Sequence, residues 1–105
     1  TLTAGDTGLD IPGLSRGAPM IVVNENDVTA DEVGIVALLL ARNSALINIS
    51  HNVVAGNAGV WASARSTGDS HLFFVSNQVL YGELPYYLNA QTVTELQNIV
   101  SPFGL

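Results

Sequence analysis

Cysteine and lysine are both missing from this chain, and charged residues make up only 11% of it. Without cysteine there are no disulfides, thiolate metal sites or thiol nucleophiles, although the compartment stays open because many exported proteins also lack cysteine. Three arginines stand against nine acids, for a net charge of −6. A chain so poor in cations has no basic patch for nucleic-acid phosphates or an anionic membrane, so neither is an expected partner. The apolar stretch from Val33 to Ala41 is well short of the roughly 20 residues that a membrane-spanning helix needs, and no membrane insertion is expected. There is no phosphate-binding loop, no Gly-rich dinucleotide signature and no glycine-framed nucleophile around Ser50, and no cofactor is expected. The chain opens on Thr1 without an initiator methionine or a signal-peptide pattern, which fits a processed chain or a piece of a longer one.

What the chain does have is an echo every 26 residues: Ile21, Ile47 and Phe73 fall in one column, and Val23, Ile49 and Val75 in another. Its 105 residues allow a single domain, 1–105, so the echo is an internal repeat and not a string of domains. Rows of this length run from Ser15 to Leu40, Ala41 to Ser66 and Thr67 to Thr92, and Val93 begins a fourth. Identities between rows two and three include Ser44 with Ser70, Leu46 with Leu72, Val53 with Val79 and Gly56 with Gly82. Each row divides into three short extended stretches. The first is Met20 to Val23, Leu46 to Ile49 and Leu72 to Val75, with Ile21/Val23, Ile47/Ile49 and Phe73/Val75 on the expected inner face. The second is Asp27 to Thr29, Val53 to Ala55 and Val79 to Tyr81, followed by Ala30, Gly56 and Gly82 at a turn where glycine permits a positive φ. The third is Gly34 to Leu38, Val60 to Ala64 and Tyr86 to Ala90.

The segments NSALINISHNVVAGNAGVWASAR, residues 43–65, and DSHLFFVSNQVLYGELPYYLNAQ, residues 69–91, resemble coils of the right-handed parallel β-helix, the pectin-lyase-like solenoid. The resemblance covers about three coils and includes no catalytic motif. It implies an all-β fold in which three parallel strands per coil stack on the next coil, and in which asparagines at an equivalent turn form a hydrogen-bonded ladder. Asn26, Asn52 and Gln78 fill that column, or Asn77 in place of Gln78 if one residue slips. Amides suit a ladder because each donates and accepts, although asparagine is favoured in turns for its own reasons. Residues 15–92 are then the coils, 1–14 an N-terminal arm or cap, and 93–105 a terminal cap.

Two segments also read as helices. Thr29 to Arg42 starts with a capping box, Thr29 with Glu32, has acids at its front and closes on Arg42. Residues 90–100 form a second such segment. A helix in either place would make a capping unit, and both together would allow a small α/β domain as the alternative fold.

Groups able to do chemistry are sparse, and no catalytic residue or metal ligand is assigned. Glu25, His51 and Asn77 share one column in the solenoid register, so Glu25 and His51 would lie about 4.8 Å apart as an acid/base pair or as a surface ion pair. Asp27, Asp31 and Glu32 lack the ligand spacing of a calcium loop. The stronger signal is on the third stretch. With Val36, Ala62 and Leu88 inward, Ile35, Trp61 and Tyr87 form an outward column, flanked by Ala37, Ser63 and Asn89 and then by Leu39, Arg65 and Gln91; with the assignment reversed, Trp61 and Tyr87 are core. Phe74 and Val22 point outward from the first stretch. Exposed aromatics beside amides and an arginine stack on sugar rings or anchor a protein partner, so Trp61, Tyr87, Arg65, Asn89 and Phe74 are the candidate binding residues. Open coil ends and outward apolar groups favour association. These features fit a non-enzymatic structural subunit or segment of an extracellular or viral assembly, self-associating or built into a larger one. The alternative is a carbohydrate-binding module, or a fragment of a polysaccharide-processing β-helix protein.

Overall fold

The computed structural model describes residues 2–4, 7–15 and 20–103. Among them there is no helix: every regular element is a strand, and every pairing is parallel. The strands are β1 (Leu2–Ala4), β2 (Thr7–Ser15), β3 (Met20–Asn24), β4 (Asp27–Ala30), β5 (Val33–Ala41), β6 (Ala45–Ser50), β7 (Val53–Ser66), β8 (Ser70–Val75), β9 (Gln78–Asn89), β10 (Thr92–Leu96) and β11 (Ile99–Pro102). They wind as a β-solenoid of about three turns. One wall is β3, β6, β8 and β10; a second holds β4, the first part of β7 and of β9, and β11; a third holds β2, β5 and the rest of β7 and β9.

Both segments with helical signals are therefore strands. Thr29 to Arg42 contains the end of β4, a two-residue corner at Asp31 and Glu32, and β5. Residues 90–100 supply β10 and the start of β11. Helical hydrogen bonds at Val33 to Ala41 would satisfy the backbone locally, but this stretch lies between β2 and β7, where both edges meet a partner strand and alternate side chains bury completely. Stacking on two neighbours outweighs a weak local propensity. The segments expected as an arm and a terminal cap also carry strands: β1 and β2 pair with β4 and β5, while β10 and β11 pair with β8 and β9.

The core is a set of columns parallel to the solenoid axis. Val28, Val54 and Val79 are in register on the second wall, and Ala37 with Ala62 on the third, all at most 2% exposed. On the first wall Ile47 pairs with Leu72 and Ile49 with Phe74, and all four are fully buried. The expected inner pair Phe73 and Val75 thus lies on the opposite face. The spacing is 26 from β3 to β6 but 25 from β6 to β8, because Ala45 pairs with Ser70. A one-residue change swaps inside for outside along the whole strand.

The turn after the first wall explains how the coils keep step. Glu25, His51, Ser76 and Gln97 occupy it in successive coils with φ of 58°, 57°, 56° and 57°. These residues, and not Gly56 or Gly82, carry the left-handed conformation, which costs a non-glycine residue about 1–2 kcal/mol. Each is followed by an asparagine: Asn26, Asn52, Asn77 and Asn98. Asn77, not Gln78, is the third member. The Asn52 amide donates to Val23 O and Asn77 Oδ1, both at 2.9 Å, while its own Oδ1 accepts from Asn26 N and Nδ2 at 2.9 and 3.2 Å. Asn77 repeats the pattern, donating to Ile49 O and to Asn98 Oδ1. A ladder that satisfies every polar atom of a buried amide holds the strained residue beside it in place.

Candidate binding face

The outer side of the third wall holds a groove with mixed chemistry. It encloses about 430 Å³ and is lined by Leu38, Leu40, Trp61, Ser63, Arg65, Tyr87 and Asn89, with Leu39 at its floor. Strand alternation builds it. In β5 the even positions Leu38 and Leu40 are exposed while Ile35, Ala37 and Leu39 bury; in β7 Trp61, Ser63 and Arg65 face out between buried Val60, Ala62 and Ala64.

Four of the five expected binding residues meet here: Trp61, Tyr87, Arg65 and Asn89. Trp61 and Tyr87 are register partners on adjacent strands, with ring centroids 4.5 Å apart and planes tilted by 33°. Each ring leaves about two-fifths of its surface exposed, 42% and 41%. Asn89 Nδ2 donates to Ser63 Oγ at 3.3 Å, fixing one amide beside the rings. Arg65 is exposed and has no hydrogen-bond or ion-pair partner among the described residues. The members from the first coil differ from the expected ones. Val36, not Ile35, shares the column of Trp61 and Tyr87, and Leu38 and Leu40 replace Ala37 and Leu39, because β5 and β7 pair with an offset of 25. Coil two turns its second corner one residue sooner than coil one, at Asn57 alone, which shifts the pairing. That shorter corner is visible only when the strand ends are known.

Phe74 belongs elsewhere. It is fully buried on the inside of the first wall, its ring 4.9 Å from that of Tyr86. The expectation that it points outward is corrected by the 25-residue spacing described above. Val22, by contrast, does point outward, and is 54% exposed.

The remaining chemistry is dispersed. Glu25 and His51 lie in consecutive coils of the left-handed turn column, where Ser76 and not Asn77 comes next, and no hydrogen bond or ion pair joins them. The Ser50 hydroxyl donates to Asn24 Oδ1 at 3.1 Å and not to His51. Among the described residues no three of histidine, aspartate and glutamate converge as a metal-binding group, so Asp27, Asp31 and Glu32 do not form one. One pair with altered proton affinity went unread in the sequence: Tyr86 donates to the Glu95 carboxylate, and that hydrogen bond, with partial burial and the carboxylate charge, pushes the phenol up to about 12. Only the 21-residue step from β8 to β10, too short for the repeat, brings Glu95 under Phe74 and beside Tyr86.

Compared with known proteins, the chain matches no family model, no curated protein and no solved structure.

Proposed function

We propose that this chain is a non-enzymatic structural unit, a segment of an extracellular or viral assembly, that associates through exposed apolar faces and open coil ends of its solenoid. The observation that carries the reading is the outer face of the third wall, where Leu38, Leu40, Trp61 and Tyr87 are each 41–52% exposed around one groove. Apolar side chains concentrated on one face are the usual mark of a protein interface, with tryptophan, tyrosine and arginine its typical anchors. The finer assignment to the right-handed, pectin-lyase-like type is part of the same reading; the asparagine ladder and the three-walled coil support it. Sedimentation velocity over a wide concentration range tests association. Self-association that weakens in Trp61→Ser and Leu38→Ser supports the reading, whereas a monomer at the highest concentration removes it for the isolated chain.

A second reading is a carbohydrate-binding face, favoured by the Trp61–Tyr87 ring pair beside the Asn89 amide, the Ser63 hydroxyl and Arg65, whose side chain is unpaired among the described residues. Glycan-array binding that disappears in Trp61→Ala favours it, and no binding to any glycan counts against it.

A further inference from the structure

Charge on the third wall is sorted along its strands. The corner where each coil turns off the second wall carries Asp31 and Glu32 in coil one and Glu83 in coil three, with the uncharged Asn57 between them. The far end of the wall carries Arg65 near the close of β7 and Arg42 just past β5, the two arginines among the described residues. Asp69 is the one described acid near that end, and it lies beyond the strand, at the next corner. All six of these side chains are exposed. Between the two ends the outward side chains are uncharged and include Leu38, Leu40 and the Trp61–Tyr87 ring pair. The spacing is close to symmetric about the rings. Val36, Trp61 and Tyr87 form one row across the wall. Arg65 is four residues past Trp61 and Glu83 four before Tyr87, so each lies about 13 Å from that row at about 3.3 Å per residue. Arg42 and Asp31 are six residues past and five before Val36. A wall with cations at one end, acids at a matching distance at the other and an apolar middle is complementary to itself when turned end for end.

We propose that the third wall recognises a second copy of this chain: two copies pack it face to face with antiparallel strands, about a two-fold axis that passes over the rings and runs nearly along the solenoid. This rests on the assembly reading of the same groove and adds its partner and its geometry. Each ring pair then covers the other, Arg65 of one copy meets Glu83 of its partner, and Arg42 meets Asp31. Every contact occurs twice, as an isologous interface requires. Packing the walls with parallel strands instead sets acids on acids and arginines on arginines, which like-charge repulsion disfavours. The same pattern selects the partner, because a peptide of one sign matches one end of the wall and is repelled by the other. Away from such a matched face, two copies with a net charge of −6 each repel. The size of the face suits a weak dimer. β2, β5, β7 and β9 lie side by side on this wall. Four strands about 4.8 Å apart and up to about 30 Å long cover about 570 Å² per copy. The pair buries about 1,150 Å², just under the roughly 1,200–2,000 Å² of stable interfaces. Such a dimer is reversible, and its charged ends make it sensitive to salt.

Sedimentation velocity of the wild-type chain, Arg65→Glu, Glu83→Arg and the double variant tests the geometry, with circular dichroism to show that each is folded. The wild type should dimerise. Each single reversal should weaken the dimer at least about tenfold, because it breaks two contacts and sets like charges together, while the double variant restores both contacts with exchanged signs and should return to within about threefold of wild type. An equimolar mixture of the two single variants should also pair, since every glutamate then faces an arginine. Association that ignores the reversals, or that the double variant fails to rescue, overturns the proposal; if Trp61→Ser still weakens that association, the assembly reading stands without it. A wild-type chain that stays monomeric at the highest concentration overturns both, and glycan-array binding by that monomer, lost in Trp61→Ala, gives the face to a sugar instead.

Discussion

Removing the amide of Asn52 tests whether the ladder holds the coils in register. Asn52 is 1% exposed and makes four side-chain hydrogen bonds, two donated and two accepted. Asn52→Ala leaves the Asn26 amide N–H and the Val23 carbonyl without this partner, at about 1–3 kcal/mol for each group left unsatisfied. It also removes the bonds that hold His51 in its left-handed conformation. A loss of about 3–4 kcal/mol follows, a large share of the 5–15 kcal/mol typical of a domain. Asn52→Asp should cost more at neutral pH, because a carboxylate has no donor for Val23 O or Asn77 Oδ1 and meets two acceptors instead. Burial and these acceptors raise the carboxyl's proton affinity in the folded state, so its penalty is full above that raised value. As pH falls through it, the acid regains one donor and stability recovers toward that of Asn52→Ala. Urea unfolding followed by Trp61 fluorescence at pH 7 and pH 4 measures both effects, and Asn26→Ala is the control, since Asn26 is the first described member of the ladder and only partly buried. An Asn52→Ala loss below about 0.5 kcal/mol, or an Asn52→Asp no worse than Asn52→Ala at pH 7, refutes the argument.

Gly34→Ala should destabilise by about 1–3 kcal/mol as an overpacked site, because the added Cβ would lie 2.6 Å from Gly59 O in the next coil and also strike Val54; a melting temperature equal to wild type would show that the coils spread without cost. Phe74→Ala should lose about 3–5 kcal/mol in chemical denaturation as a fully buried aromatic, while Trp61→Ala, at a half-exposed ring, should lose far less; the reverse order would place the first wall in the 26-residue register after all. Because the folded-state proton affinity of Tyr86 is raised, its stabilisation is complete below about pH 10 and is lost as pH rises through about 12. Tyr86→Phe should flatten that alkaline fall and remove the phenolate absorbance change centred near pH 12, and an unaltered titration would exclude the Tyr86–Glu95 bond.

Much of the architecture is legible in the residues because it depends on local patterns repeated at a distance. Alternation in ALINIS and the recurrence of Asn after each first stretch announce stacked strands, and the asparagines, in step at 26, 52 and 77, already signal a slip that Phe73 and Val75 conceal. That Trp61, Tyr87, Arg65 and Asn89 share one side of the sheet also follows from alternation alone, whereas which side faces out is decided by the coil that closes over the other. That Leu38 and Leu40 join them does not follow so, since their side of the sheet depends on how many residues the neighbouring coil spends at its corner. Glu95 and Tyr86 were equally hidden, being joined only through a shortened coil.

By itself, then, the sequence determined that the chain makes β-coils, that amides stack at one turn, and that two aromatics share one column, because side-chain period and amide chemistry are properties of short segments. Only the tertiary structure decided that Val33 to Ala41 is a strand, that Phe74 is core and Phe73 is not, and that Glu95 falls in register with Phe74. Those outcomes depend on pairing with strands more than 20 residues away, where one residue more or less in a corner turns every side chain of the next strand to the other face.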